Sequence, residues 1–313
     1  MEMYAATSFV LKQSLQSATP LVIAGMGELV AQRCGVINVG IEGLMLMGCI
    51  AAYGGALLTG SAIGGVATAA IVGILFAAVF GLVTIWGRAD QIVAGTAMNI
   101  LAFGASTTLW TSLQKLQRPP TTFAMPPLFD PLNVPGLSSI PLIGPAIFQQ
   151  YTLFYVAILA SIVLGYALTF TRFGLITRAL GDAPEACDAA GISVRGWRTL
   201  CVLAAGAAAG IAGSYLSIMR GHSFQINMTG GQGFLVLALV IFGRWNVAGL
   251  VLGTLMFGAI DGLQTYLAGI PQAAQVVPHQ LFDMLPYLAT LVALAILSRS
   301  RAGPACLGKP WPQ

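Results

Sequence analysis

Long apolar runs alternate with short polar interludes along most of the chain. Runs such as Ile63–Trp86, Tyr151–Phe170 and Val247–Leu267 approach or exceed the ~20 residues a helix needs to cross a ~30 Å hydrocarbon core. About nine spans follow: Phe9–Val30, Val36–Leu58, Ile63–Trp86, Gln91–Leu113, Gln149–Phe170, Thr199–Met219, Gly231–Gly243, Val247–Ala268 and Met284–Ser298. Gly231–Gly243 is the short one, since its thirteen residues reach only ~20 Å as a helix. It reads as a short crossing that meets a water-filled cavity near mid-membrane. The runs are continuous, whereas barrel strands alternate over ~10 residues, so a barrel is excluded. The pattern predicts an all-α, polytopic helical membrane protein with about 8–10 transmembrane segments, forming one domain over residues 1–313.

Two interludes break this pattern. Gln114–Phe148 holds eight of the sixteen prolines, which resist helix interiors, and reads as an extended extracytoplasmic loop with short ordered pieces. Thr171–Trp197 carries Arg172, Arg178, Asp182, Glu185, Asp188 and Arg195 in a chain that is otherwise only 8% charged. The bilayer gains nothing from such a segment, so it is expected to touch something in the aqueous phase.

Basic residues set the orientation, because lysine and arginine collect on the cytoplasmic side of membrane proteins. With Thr171–Trp197 inside, ten basic residues are cytoplasmic, including Arg33, Arg88, Arg244, Arg299, Arg301 and Lys309. Four remain outside: Lys12, Lys115, Arg118 and Arg220. The tail, residues 299–313, is then cytoplasmic and the N-terminus outside. The formal charge of +4 is scattered along the chain, which argues against nucleic acid as a partner. The five cysteines form no CxxC pair and read as small apolar residues, without a disulfide framework or a metal site.

Polar residues inside the spans are the candidates for chemistry. The segment 33–43 places Asn38 and Glu42 four apart, hence on one helical face, between Gly35, Gly40 and Gly43. A carboxylate there must be paired, protonated or wet. Either the glycines break the helix and the freed backbone lines a solute path, or Glu42 caps or cross-links a neighbouring helix. Asn99, with Thr96 and Phe103 on one face, could stack on and hydrogen-bond a small polar solute. Glu28, Asp261 and Gln264 are further intramembrane polar groups, for which interhelical hydrogen bonding is the more frequent role. A second glycine-interrupted segment, 224–233, contains Asn227; paired interruptions suggest inverted repeats around a central site. Gly206, Gly210 and Gly213, and Gly249, Gly253 and Gly258, have the spacing of close helix packing.

No catalytic grouping emerges, and there is no GxxxxGK[ST] phosphate loop. The chain reads as a transport subunit rather than an enzyme, with no cofactor of its own. Any ATP–Mg must be bound by a partner.

The run Gly181–Ile192 resembles the coupling loop of bacterial ABC-importer permeases: Glu185, Ala186 and Gly191 keep the Glu-Ala-Ala-x-x-x-Gly spacing, with Cys187 in place of the second alanine. A finer resemblance is to the nucleoside (simple-sugar-like) permeases of that superfamily, akin to branched-chain amino-acid permeases. It rests on residues 35–48, 227–234, 241–246 and 284–287, with Gln32 where glutamate is usual. It implies that Asp182, Pro184, Glu185, Ala186, Ala190 and Gly191 contact an ATPase subunit. It also implies a paralogous second permease, a periplasmic or lipid-anchored binding protein, and residence in the bacterial cytoplasmic (inner) membrane. The expected function is the permease subunit of an ATP-driven importer for nucleosides or related purine or pyrimidine solutes. The substrate-path candidates are Asn38, Glu42, Asn99, Phe103, Asn227 and Gln264. The alternatives are a permease for a simple sugar or other small polar solute, or an ion-coupled secondary transporter using Glu42 or Asp261.

Overall fold

The computed structural model describes residues 2–116, 128–133, 136, 138, 143–269, 284, 288 and 303–311. All regular structure among the described residues is helical. In chain order the helices are α1 (Glu2–Arg33), α2 (Ile41–Thr59), α3 (Ala62–Gly81), α4 (Gln91–Leu116), α5 (Ile143–Ile147) and α6 (Thr152–Phe170). They continue with α7 (Arg172–Asp182), α8 (Pro184–Ala189), α9 (Val194–Ser214), α10 (Gln232–Phe242) and α11 (Val247–Ala268). Wider π-type turns, Leu82–Trp86 and Tyr215–Arg220, prolong α3 and α9. Six helices among the described residues are long and apolar enough to cross a membrane: α2, α3, α4, α6, α9 and α11. The chain is a polytopic helical membrane protein. The expected span Met284–Ser298 and most of the 114–148 loop lie outside the described residues.

The first expected span, Phe9–Val30, falls within α1, whose outer half carries Lys12, Gln13, Ser14, Gln16 and Ser17. α1 packs against α11, α9, α10 and α6 and is buried from Ser17 to Gln32, while Lys12, Gln13 and Gln16 in its outer half are half-buried. The lipid-facing helices show the opposite pattern. Ile71, Leu75 and Val79 of α3 and Leu159, Ile162 and Val163 of α6 are exposed, as side chains solvated by hydrocarbon should be.

Association of helices in lipid lacks a hydrophobic drive and depends on close backbone approach. The glycine rows supply it. A Cβ on Gly206 would lie 2.5 Å from the Gly73 carbonyl, and one on Gly210 would strike the Ala69 carbonyl, so α9 and α3 touch backbone to backbone. Gly213 is pressed likewise against Met45 of α2, and Gly258 of α11 against Ser14 of α1. The packing role expected of these rows is what they perform.

The interlude after α6 is helical. Thr171 caps α7, accepting from the Gly174 amide. Gly174, Thr177, Leu180 and Gly181 form its buried face. Such a stripe on an otherwise charged helix lets α7 lie across the helix ends. The C-terminal segment is tied to the same end. The Cys306 amide donates to the Gly181 carbonyl at 2.8 Å, the Gly308 amide to Gly35 at 3.1 Å, and Arg198 Nη1 to the Lys309 carbonyl at 2.9 Å. Residues 303–311 therefore share one face with Arg33, α7 and α8.

Candidate functional site

Two interrupted segments meet inside the bundle. The first is residues 34–40, between α1 and α2. Gly35, at φ +91°, turns the chain out of α1, and the Asn38 side chain then accepts from the Gly40 amide at 3.0 Å. This Asx turn competes with helical bonding, so α2 begins only at Ile41. Asn38 is thus outside the helix, and the expected helical face shared by Asn38 and Glu42 does not exist. The break itself is where the glycines put it.

The exposed backbone of the break is satisfied from three directions. Asn99 of α4 brackets it, donating from Nδ2 to the Val39 carbonyl at 3.0 Å and accepting at Oδ1 from the Gly43 amide at 2.8 Å. Gln91 Oε1 accepts from the Ile37 amide at 2.8 Å. Glu28 Oε1 of α1 accepts from the Asn38 amide at 3.2 Å and from Gln32 Nε2 at 3.0 Å. Glu28, Gln32 and Asn38 are all buried, and Glu28 Oε2 and Asn38 Nδ2 have no hydrogen-bond partner among the described residues.

The second segment, Asn227–Gly231, leads into α10, and Glu42 joins the two. One carboxylate oxygen accepts from Thr229 Oγ1 at 2.5 Å and from the Gly231 amide at 2.8 Å; the other accepts from the Gly233 amide at 2.6 Å. These amides belong to the first turn of α10, where unpaired N–H groups and the helix dipole favour a negative charge. Gly233 also cannot carry a side chain, because a Cβ would lie 2.5 Å from the Glu42 backbone. Glu42 therefore caps and cross-links, the second of the two roles open to it. The eleven residues of α10 rise about 16 Å and end beside Trp245, near the Arg33 end. The junction consequently lies about that far from the Arg33 end, inside the bundle.

The path candidates separate into groups. Asn38, Glu42 and Asn99 gather at the junction, with the hydrogen bonds of Glu42 and Asn99 and the oxygen of Asn38 largely committed to backbone. Asn227 is exposed at φ +61°, two residues before Thr229. Phe103, 47% exposed, lies one turn beyond Asn99 on α4, and Thr96 is exposed one turn before it. Gln264 is elsewhere. It follows Asp261 on α11, which accepts from Ser17 Oγ and pairs with Arg220 Nη2 at 3.5 Å. Ser17 and Glu28 are eleven residues apart on α1, so this outer cluster sits about 16 Å from the junction along the helix axis. Sequence reading missed Thr229, a single hydroxyl in a glycine-rich run, and the bridging part played by Gln32. Arg33 donates from Nε to the Trp245 carbonyl at 2.6 Å.

At the Arg33 end, α8 presents a surface. Pro184 starts it, where a missing amide proton is harmless. Gly191, at φ +79°, ends it in a Schellman arrangement: the Ile192 amide reaches the Cys187 carbonyl at 3.0 Å. Pro184 and Cys187 face the protein, whereas Glu185, Ala186, Asp188, Ala189, Ala190 and Gly191 are exposed, as is Asp182 just before α8. The substitution at Cys187 thus falls on the inner face and leaves the exposed surface unaltered. Burial pushes the Cys187 thiol up.

The family described as the branched-chain amino acid transport system / permease component matches residues 10–297. The chain belongs to this permease family. It is 32% identical over 306 residues to the nucleoside ABC transporter permease protein NupC of Lactococcus lactis subsp. cremoris (strain MG1363), covering 96% of this chain and 95% of that one. Against the guanosine ABC transporter permease protein NupQ of Bacillus subtilis (strain 168) it is 30% identical, with 99% and 98% covered. A putative glucose ABC transporter permease of Haloferax volcanii is 31% identical, with 91% and 90% covered. No solved structure matches the chain. The family membership makes the helices those of a permease, a transport subunit.

Proposed function

We propose that this chain is the membrane-spanning subunit of an ATP-driven importer for nucleosides or related purine or pyrimidine solutes. The observation that carries the ATP-driven part is the α8 surface. Its exposed residues are small and acidic on a short helix that Pro184 starts, Gly191 ends, and α7 and α9 back. Small side chains allow such a helix to seat in a groove of a separate ATPase, and its rigid backing lets groove motion drag the membrane helices. Asp182, Pro184, Glu185, Ala186, Ala190 and Gly191 form the contact in this reading, Pro184 through the helix it starts. ATP and magnesium belong to the partner.

The nucleoside part is supported by the relatives in Lactococcus and Bacillus, named as nucleoside and guanosine permeases and aligned over almost the whole chain. Within the junction, Phe103 offers a ring for stacking on a base, and Asn227 an amide for a hydroxyl or ring nitrogen. Glu42, Asn38, Asn99 and Gln264 shape or support the path. A second permease completes the walls, a binding protein delivers solute from outside, and the α8 end with residues 303–311 is cytoplasmic, in a bacterial inner membrane. A simple sugar is the second reading, favoured by the glucose-permease relative. Co-expression with the ATPase and second permease of its transporter, followed by uptake competition among nucleosides, bases and hexoses, tests both. Glu185→Arg or Gly191→Trp should abolish co-purification of the ATPase. Retained assembly with coupled ATP hydrolysis would defeat the α8 assignment, and competition by hexoses alone would transfer the substrate to the sugar reading.

A further inference from the structure

The polar groups around the first break form a chain that does not stop at the break. Trp245 Nε1 donates to Gln32 Oε1 at 2.8 Å, and Gln32 Nε2 donates to Glu28 Oε1 at 3.0 Å. The same Glu28 oxygen receives the Asn38 amide, and the Asn38 side chain holds the Gly40 amide two residues before Glu42. Glu42 then holds Thr229, Gly231 and Gly233. Hydrogen bonds therefore run from the turn between α10 and α11, through α1, to the break at Asn38–Gly40, and two residues of backbone carry the connection on to Glu42 at the junction. Gln32 sits at its narrowest point, fully buried, with its oxygen and nitrogen each spent on one neighbour.

The turn at the origin of this chain is strained. Arg244 and Trp245 are consecutive non-glycine residues at φ +55° and +52°. Bulky side chains rarely hold such a conformation unless their surroundings impose it, and such strain clusters at switch regions. The surroundings here are Gln32 on the indole, Arg33 on the Trp245 carbonyl, and Gly303 beneath the ring, where a Cβ would lie 2.5 Å from the indole. Gly303 begins the segment whose Ala305 and Cys306 amides donate to Asp182 Oδ1 and the Gly181 carbonyl, at the end of α7 next to α8. The turn thus touches both the face that presents α8 and the buried network.

We propose that Gln32 is a positioning residue, through which the strained 243–246 turn fixes the register of the helix break at 34–40 and so the geometry of the Glu42 junction. In the permease reading above, on which this use of the network rests, movement at α8 reaches the solute path by this route. A hydrogen-bonded relay is not by itself proof of energetic coupling; a double-mutant comparison supplies it.

The test uses Trp245→Phe, which removes the donor and keeps a ring over Gly303, Gln32→Leu, which removes the acceptor, and the double variant. Amide hydrogen exchange is read on the full chain in lipid nanodiscs. The expected result is exchange faster by roughly tenfold at residues 38–43 and 229–233, the size of one lost hydrogen bond, with the α3–α9 contact unchanged. The double variant should match Gln32→Leu, which removes the Trp245 bond together with the Gln32–Glu28 bond, because Trp245→Phe has nothing left to remove. Faster exchange confined to 243–246, or fully additive effects, would overturn the proposal. Trp245→Phe alone carries the test if Gln32→Leu does not fold. In the reconstituted transporter, solute moved per ATP hydrolysed should fall at least fivefold in Trp245→Phe while the ATPase still co-purifies. An unchanged ratio would also overturn the positioning role. Absence of any ATP-dependent uptake by the wild-type complex would instead defeat the importer reading and leave the exchange result standing.

Discussion

Glu42→Gln separates a structural cap from an ion-coupling carboxylate. The wild-type side chain accepts three hydrogen bonds, from Thr229 Oγ1, Gly231 and Gly233, and Glu42 is only 8% exposed. Glutamine keeps one acceptor oxygen and turns an NH2 group toward amides that can only donate. At least one charge-assisted bond is lost, worth about 1.5–3 kcal/mol. The interaction of the charge with the start of α10 is lost too, worth about 0.5–2 kcal/mol in a buried setting. Together these predict a destabilisation of about 2–5 kcal/mol. Unfolding in mixed lipid–detergent micelles, followed by denaturant titration, measures the loss. Exchange of the Gly231 and Gly233 amides locates it, and both amides should exchange at least tenfold faster in the variant. An ion-coupled carrier predicts the reverse pattern, wild-type stability and slow amides with uptake that no longer responds to the ion gradient. That combination would refute the cap assigned to Glu42.

The remaining predictions concern packing, the break and the thiols. Gly210→Ala places a methyl on the Ala69 carbonyl, so α9 and α3 must separate, at about 1–3 kcal/mol; unfolding of the variant beside wild type checks this, and no loss would contradict the backbone contact. Asn99→Leu strips partners from the Val39 carbonyl and the Gly43 amide, and should destabilise by about 2–4 kcal/mol while speeding exchange at Gly43. All five cysteines are buried, so an aqueous thiol reagent should leave the folded protein unmodified. Ala186→Cys, on the outward face of α8, should react at least tenfold faster than Cys187, whose thiol burial also pushes up. Rapid modification of Cys187 in the native protein would mean that α8 is rotated from the orientation described.

How much of this was legible in the sequence depends on whether the determining force was local. Apolar runs of sufficient length must be helical in lipid, so α2, α3, α4, α6, α9 and α11 follow from the pattern alone. Glycines at three- and four-residue spacing marked the α9 face that packs on α3 and α2. The break near Gly35–Gly40 was equally visible, since two glycines around an asparagine disfavour a helix start. The partner of each polar group was not legible. Asn38 and Glu42 looked like helical neighbours because spacing assumes a continuous helix, and the Asx turn at Asn38 ended that assumption. Nothing local to Glu42 announces that its donors stand about 190 residues later, at Thr229, Gly231 and Gly233. Nor does anything local to Trp245 announce that its indole hydrogen-bonds a buried glutamine on another helix.

This division has a consequence for where solute can be recognised. A side chain whose hydrogen-bonding capacity is consumed by backbone can meet a solute only by releasing that backbone, with the penalty of an unsatisfied buried group. Glu42 and Asn99 are in this position, so their removal should cost stability before it costs selectivity. Phe103 and Asn227 are not: both are exposed, and they flank the same junction from α4 and from the second interrupted segment. If the junction lines the path, Phe103→Ala should change which solutes compete while leaving unfolding within about 0.5 kcal/mol of wild type, the usual range for an exposed side chain. Asn99→Leu should do the opposite. A selectivity change in Asn99→Leu with no loss of stability, beside a Phe103→Ala variant indistinguishable from wild type, would move the path away from the α4 face.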